Sequence, residues 1–328
     1  MSTRDPRISG IFYYFAEHTT TVTGRTVGRK IGVVQEIIVR KLLLQSERLN
    51  DAMVFEPFLP GISGASHKVE FVFYQPLSVL EFGIGQARQI DDLQMTLLRI
   101  APSYASFSFS RGAITRRVRL PLHTLVAYRH YPELIPSETI GFKLSAITNA
   151  TVRVSVLDLS DVRASVESKR VGAQRFAGSD KLGSGIQSIE KVKQASLVAI
   201  DADLLFNKTT KALPVENPER RKYISIVVLG NGVHWTEKDK NILRTYVDYT
   251  YLVPDDSIIR YAEFIRVLAA QAGADFFPFF MHYFEGMTKT APDAFEVDQN
   301  DFEIICPEDE TRSLREVLEA QIENYNVE

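Results

Sequence analysis

Glu167 and Lys169 stand two residues apart, directly after the apolar-alternating run Ala164-Ser165-Val166. On a strand, side chains two positions apart leave the same face. A carboxylate and an ammonium side by side fill a core poorly. They are well suited to hold a divalent cation through oxygen while the amine meets negative charge developing on a substrate. The plainer reading of the same pair is a structural ion pair. A second acid has three candidate positions upstream. Glu70 stands at the mouth of Phe71-Val72-Phe73-Tyr74, a continuous β-branched and aromatic run of the kind carried by strands buried on both faces. An acid there either faces solvent or meets a cation, because an unpaired buried carboxylate is costly. Asp158 precedes Glu167 by nine residues, close to a turn. Glu81, in Leu80-Glu81-Phe82-Gly83, has no lysine at the needed position after it. Glu36 falls on an amphipathic helix among apolar neighbours, where a solvated helix face is its plainer role.

Cations gather in two places. Arg111, Arg116, Arg117 and Arg119 lie within nine positions, the densest arginine cluster in the chain. Small hydroxyls (Ser106, Ser108, Ser110, Thr115) and aromatic rings (Tyr104, Phe107, Phe109) interleave with them. Guanidinium forks suit phosphate oxygens and guanine edges, and hydroxyls suit either. The bland alternative is the charged face of a surface hairpin. The second group, Arg170, Arg175 and Lys181, sits in a stretch rich in glycine, 170–185, that reads as a loop. There is no Walker-type phosphate loop, no Gly-X-Ser-X-Gly elbow and no zinc-ligand spacing. The six histidines are scattered, and each reads as packing or surface; His67, three residues before Glu70, is the one near the candidate acids.

The elements that must position these groups follow from apolar periodicity. Ile31, Val34, Ile38, Leu42 and Gln45/Leu49 recur at three- and four-residue spacing, which predicts a helix over 28–49 ended by Asn50-Asp51. Residues 53–57 and 71–74 read as strands. Residues 152–157 and 164–166 alternate with period two around Ser160-Asp161, which predicts a hairpin. A short helix over 186–194, a strand over 196–200 and a polar connector over 207–221 follow. Residues 223–229 form the most strand-like run, stopped by Gly230-Asn231-Gly232. Thr236 opens a helix with Glu237 and Asp239 in its first turn. Further helices are expected over 256–272, carrying Ile259, Phe264, Val267 and Leu268, and from about Glu310. This order predicts an α/β (α+β) protein with a central mixed β-sheet flanked by helices.

Bulk properties are permissive. A chain of 328 residues with 45% hydrophobic and 24% charged content can bury a sizeable core. Net charge is −3, so any nucleic acid must be met by a local basic surface and not by an overall field. Cys306 is the single cysteine, which excludes an intrachain disulfide and fits a reducing compartment. No run reaches the roughly 18 apolar residues of a membrane span. Residues 1–10 are polar and lack the apolar centre of a signal peptide. A cytoplasmic location without membrane attachment is expected.

Glu167-Ser168-Lys169 after an apolar strand, followed by a glycine-rich basic loop, a helix and a buried strand, resembles the PD-(D/E)XK nucleases. Within that superfamily it looks most like the Type II restriction endonucleases. The helix bearing Glu36, the strand mouth at Glu70 and the unit over 223–235 fit the same pattern, so the resemblance covers 28–76 and 150–250. It implies a restriction-endonuclease-like core forming a single endonuclease domain over 1–328. Residues 77–150 become an inserted β-rich region involved in DNA recognition, since Glu70 lies 97 residues before Glu167. Asp158, at the short end of the spacing usual for the family's upstream acid, is the rival to Glu70. Mg²⁺ is the implied cofactor, bound by Glu70 and Glu167. Lys169 assists the attacking water, and Glu36 joins the catalytic set through a water on that ion. The implied partner is double-stranded DNA, met by Arg111, Arg116, Arg117, Arg119, Arg170, Arg175 and Lys181. A palindromic target implies a homodimer. The rival expectation is a non-catalytic nucleic-acid-binding protein in which Glu167 and Lys169 form a structural pair.

Overall fold

The computed structural model describes residues 10–18, 24–55, 71–83, 140–147, 151–170, 215–216, 223–230, 237–273 and 296–328. Helices α1 (Gly10–His18), α2 (Gly24–Leu44) and α3 (Glu47–Ala52) open this set. Ile31, Val34, Ile38, Leu42 and Leu49 of the predicted stripe are fully buried, and Gln45 is half-buried. The helix itself departs from the predicted bounds, because it starts earlier and breaks after Leu44. Ser46 is the cause: its hydroxyl accepts from the Leu49 amide at 3.3 Å and caps a new helix, with Glu47 in the first turn.

The strands are β1 (Met53–Phe55), β2 (Phe71–Gly83), β3 (Ile140–Ile147), β4 (Thr151–Arg170), β5 (Ile224–Gly230), β6 (Tyr249–Val253), β7 (Glu303–Cys306) and β8 (Asn326–Val327). Among the described residues they form one sheet in the order β1-β2-β4-β5-β6-β7, with β3 on β4 and β8 on β2. Pairing is antiparallel at β1–β2, β2–β4 and β6–β7, and parallel at β4–β5 and β5–β6. The sheet is therefore mixed, as the order of elements predicts. Helices α4 (Glu237–Tyr246), α5 (Asp255–Gln271) and α6 (Leu314–Glu319) complete the described set. One core joins α1, α2, α5 and α6 to the sheet face carrying Ala164, Val166, Ile226 and Val228. A second lies on the opposite face, where Leu243 of α4 and Val247, the residue after that helix, meet Val227, Leu229 and Leu252.

The predicted hairpin over 152–166 does not form. Those residues run within the single strand β4. Tyr74 pairs with Val162 while the next residue, Gln75, pairs with Asp158. Residues 159–161 are thus surplus on β4 and leave the ladder as a bulge. Short polar residues serve a turn and a bulge equally well, so Ser160-Asp161 signals either one. The bulge is also where β4 exchanges neighbours, from β3 along 152–158 to β5 along 164–170. Pro76, which has no amide to donate, occupies a second irregularity in β2.

β2 continues through Gly83, and β3 belongs to the same sheet, so 77–83 and 140–147 of the expected insertion are parts of the central sheet. Residues 84–139 lie outside the described set, as do the helix and strand expected over 186–200. On α5 the buried face is Ile258, Tyr261, Ala262, Ile265 and Ala269, whereas Phe264 and Val267 are exposed. The buried set follows the i, i+3, i+4, i+7 template, and the other two residues project from the far side. Gly273, at φ 64°, ends the helix in the left-handed region. Among the described residues no helix is long and apolar enough to cross a membrane.

One polar tie at the α3 end has a measurable consequence. Lys143 of β3 donates from Nζ to the Asn50 carbonyl and to Asn50 Oδ1, at 3.3 Å for the latter. Burial pushes its amine down to about 7, against the opposing pull of Asp51. The unfolded chain, with an ordinary lysine, then holds more protons than the folded one between pH 7 and about 10.5. Stability therefore rises with pH through that window. Against a Lys143→Met variant, which lacks the titration, wild type is expected to gain on the order of 2–4 kcal/mol between pH 7 and 9.5. Urea unfolding at the two pH values checks this, and equal shifts in both proteins would contradict it.

Candidate active site

The carboxyl ends of the parallel strands β4, β5 and β6 lie at one end of the sheet. Ligands of α/β sheets gather at such ends, where the ladder stops and backbone and side chains become available. The register there is Glu167 beside Val227, Ser168 beside Val228, Lys169 beside Leu229 and Arg170 beside Gly230. On the other edge of β4, Val166 faces Phe71, the first described residue of β2. Glu167 and Lys169 are thus on one strand, as their spacing predicts, and positions 167 and 169 share strand parity. Val166 belongs to the core under α2, so Glu167 projects from the opposite face, the side of Val227 and α4. Glu167 is only 2% exposed. A carboxylate at that depth is tolerable only with hydrogen bonds or positive charge in reach.

Behind this segment, on the α2 face, stands a residue that the sequence reading passed over. Gln35 is fully buried. Its Nε2 donates to Ser168 Oγ at 3.0 Å and to the Val228 carbonyl at 3.1 Å. The signal was present, since Gln35 takes the i+4 place after Ile31 in an otherwise aliphatic stripe. Glu36, the next residue of α2, is half-buried and turned about 100° around the helix from Gln35.

Two of the candidate acids are placed away from this end. Asp158 pairs with Gln75, whereas Val166 pairs with Phe71. Along β2 that puts Asp158 five strand positions from Glu167, about 17 Å at ~3.4 Å per residue. Two ligands of one ion each lie within about 2.6 Å of it, so Asp158 cannot share an ion with Glu167. The short sequence separation is misleading because both residues lie along the same strand. Glu81 stands farther along β2, exposed, in an ion pair with Arg153. Glu70, Arg111, Arg116, Arg117, Arg119, Arg175 and Lys181 lie outside the described residues, as do the side chains of Lys169 and Arg170.

No protein-family model, curated protein or solved structure matches this chain. Among the described residues no group of three or more His, Cys, Asp and Glu is placed to hold a metal ion. The donor chemistry that is present suits a hard cation. Mg²⁺ is held by one or two carboxylate oxygens and completes its shell with water and substrate oxygens. Glu167 is a buried carboxylate at this end of the sheet.

Proposed function

We propose that the chain is a Mg²⁺-dependent endonuclease that hydrolyses phosphodiester bonds of double-stranded DNA at specific sequences. In this reading it is a Type II restriction enzyme of the PD-(D/E)XK kind that acts as a cytoplasmic homodimer. Glu70 and Glu167 bind the ion, which would supply charge neutralisation at the scissile phosphate. The Lys169 ammonium orients the attacking water and meets the charge that develops on the phosphoryl oxygens. A P–O bond forms to the water oxygen, which releases a proton to solvent, the bond to the leaving oxygen breaks, and the leaving oxygen takes up a proton from solvent. Glu36 stands on α2, against the sheet face opposite the one from which Glu167 projects, and is left out of this set. Arg111, Arg116, Arg117, Arg119, Arg170, Arg175 and Lys181 meet the DNA.

The observation that carries this reading is the pairing of Phe71 with Val166 at the carboxyl end of β4. In the chain Glu70 immediately precedes the first of these residues and Glu167 immediately follows the second, and that pairing is what supports a joint role for two acids 97 positions apart in sequence. The order α2, α3, β1, β2, β3, β4, β5, with antiparallel pairing at β1–β2, β2–β4 and β3–β4 and parallel pairing at β4–β5, is further support. The burial of Glu167 favours one rival, a nucleic-acid-binding protein in which Glu167 and Lys169 are a structural pair.

The deciding experiment incubates the protein with unmodified phage DNA, with and without Mg²⁺, and sequences the fragment ends. Discrete Mg²⁺-dependent fragments sharing one terminal sequence are expected. Mobility-shift binding with no cleavage at any Mg²⁺ concentration would instead support the rival.

A further inference from the structure

Gln35 is costly where it stands. Its neighbours on the buried stripe of α2, Ile31, Val34, Ile38 and Leu42, are all aliphatic. A leucine or methionine would fill the same volume without burying an amide, whose desolvation only hydrogen bonds offset. The orientation of that amide is fixed by its partners. The Val228 carbonyl can only accept, so the nitrogen end must face the sheet. Both of its protons are then committed, one to β4 and one to β5, at residues that are register partners. The Oε1 end is buried and has no hydrogen-bond partner among the described residues. An amide kept at this cost, with one end unsatisfied, is retained for what its nitrogen holds.

What it holds is Ser168, the residue between Glu167 and Lys169. We infer that Gln35 is a positioning residue: by clamping Ser168 and Val228 from the α2 face, it fixes the strand segment from which Glu167 and Lys169 project. The inference rests on the nuclease reading above and deepens it. Strand ends fray where the ladder stops, and β4 reaches the end of its pairing with β5 at Arg170. A clamp one residue before Lys169 limits that motion. It acts on the strand segment behind the acid and the amine.

The test compares wild type, Gln35→Met and Ser168→Ala for kcat at saturating DNA, for KM, for the Mg²⁺ concentration giving half-maximal rate, and for Tm. Gln35→Met is expected to lower kcat by about 10- to 100-fold and to raise the Mg²⁺ requirement about tenfold, with KM within threefold, as for removal of an outer-shell support. Ser168→Ala, a smaller change that protects against misfolding of the first variant, is expected to shift both quantities the same way by a lesser factor. In the double variant the losses should be less than additive, because both single changes remove the same Gln35–Ser168 hydrogen bond. A lowered Tm with kcat and Mg²⁺ requirement within threefold of wild type would overturn the inference and leave Gln35 a purely structural tie. A wild-type protein that cleaves no DNA in Mg²⁺ would instead remove the nuclease reading, and the positioning role with it.

Discussion

Lys169→Ala is expected to lower DNA cleavage by at least about 10³-fold, roughly 4 kcal/mol of transition-state stabilisation, while DNA binding stays within a few-fold of wild type. An ammonium that meets charge present only as the P–O bonds rearrange contributes to kcat and little to ground-state affinity. Glu167→Gln is expected to give the same pattern, since it removes a negative ligand yet keeps the side-chain shape in a nearly closed site. Lys169→Arg should not restore activity, because a planar fork cannot take the place of a compact ammonium. Single-turnover cleavage with mobility-shift binding in parallel checks each variant. Metal-dependent cleavage at the wild-type rate by Lys169→Ala, in a preparation free of host nuclease, would contradict the assignment of that lysine.

The second large effect concerns the scaffold. Asp51→Ala is expected to destabilise the protein by about 3–5 kcal/mol, the usual cost of breaking a buried ion pair by removing one partner. Asp51 is fully buried at the end of α3. It accepts from Arg153 Nε at 2.9 Å, from Arg153 Nη2 at 2.6 Å, from Ser155 Oγ at 3.3 Å and from the Tyr325 hydroxyl at 2.8 Å. One carboxylate thus joins α3, β4 and the segment before β8. Arg153 would keep Glu47 and Glu81, but both of those are exposed and screened, so they compensate only in part. Tyr325→Phe removes one neutral donor and should cost about 1 kcal/mol. Urea midpoints measure both variants, and an Asp51→Ala cost below about 1 kcal/mol would show that the cluster relaxes around the loss.

How much of this was legible in the sequence depends on the kind of signal. The α2 stripe and the strand over 224–230 were plain, because burial imposes a periodicity that neighbouring residues display by themselves. The bulge at 159–161 carries the sequence signature of a turn, since local chemistry does not say whether a partner strand continues past it. β6 and β7 went unnoticed, and at five and four residues they carry too few alternations to stand out. Glu167 and Lys169 stand out in the sequence by their spacing, and the structure puts both on β4. Gln35, Asp51 and Lys143 were not given roles, because their partners lie 93 or more positions away and only the folded register brings them together. The same register decides against Asp158, whose nearness in sequence turns into distance along one strand.

The central claim, that Glu70 and Glu167 hold one divalent ion between β2 and β4, is tested most directly by Mn²⁺ titration of the full-length protein. Free Mn²⁺ is followed by electron paramagnetic resonance for wild type, Glu70→Gln, Glu167→Gln and Asp158→Asn. Mn²⁺ stands in for Mg²⁺ because it shares the preference for carboxylate and water oxygens. Binding weakened at least tenfold by Glu70→Gln and by Glu167→Gln, and left intact by Asp158→Asn, is the expected result. Equal Mn²⁺ affinity in wild type and in both glutamine variants would contradict it.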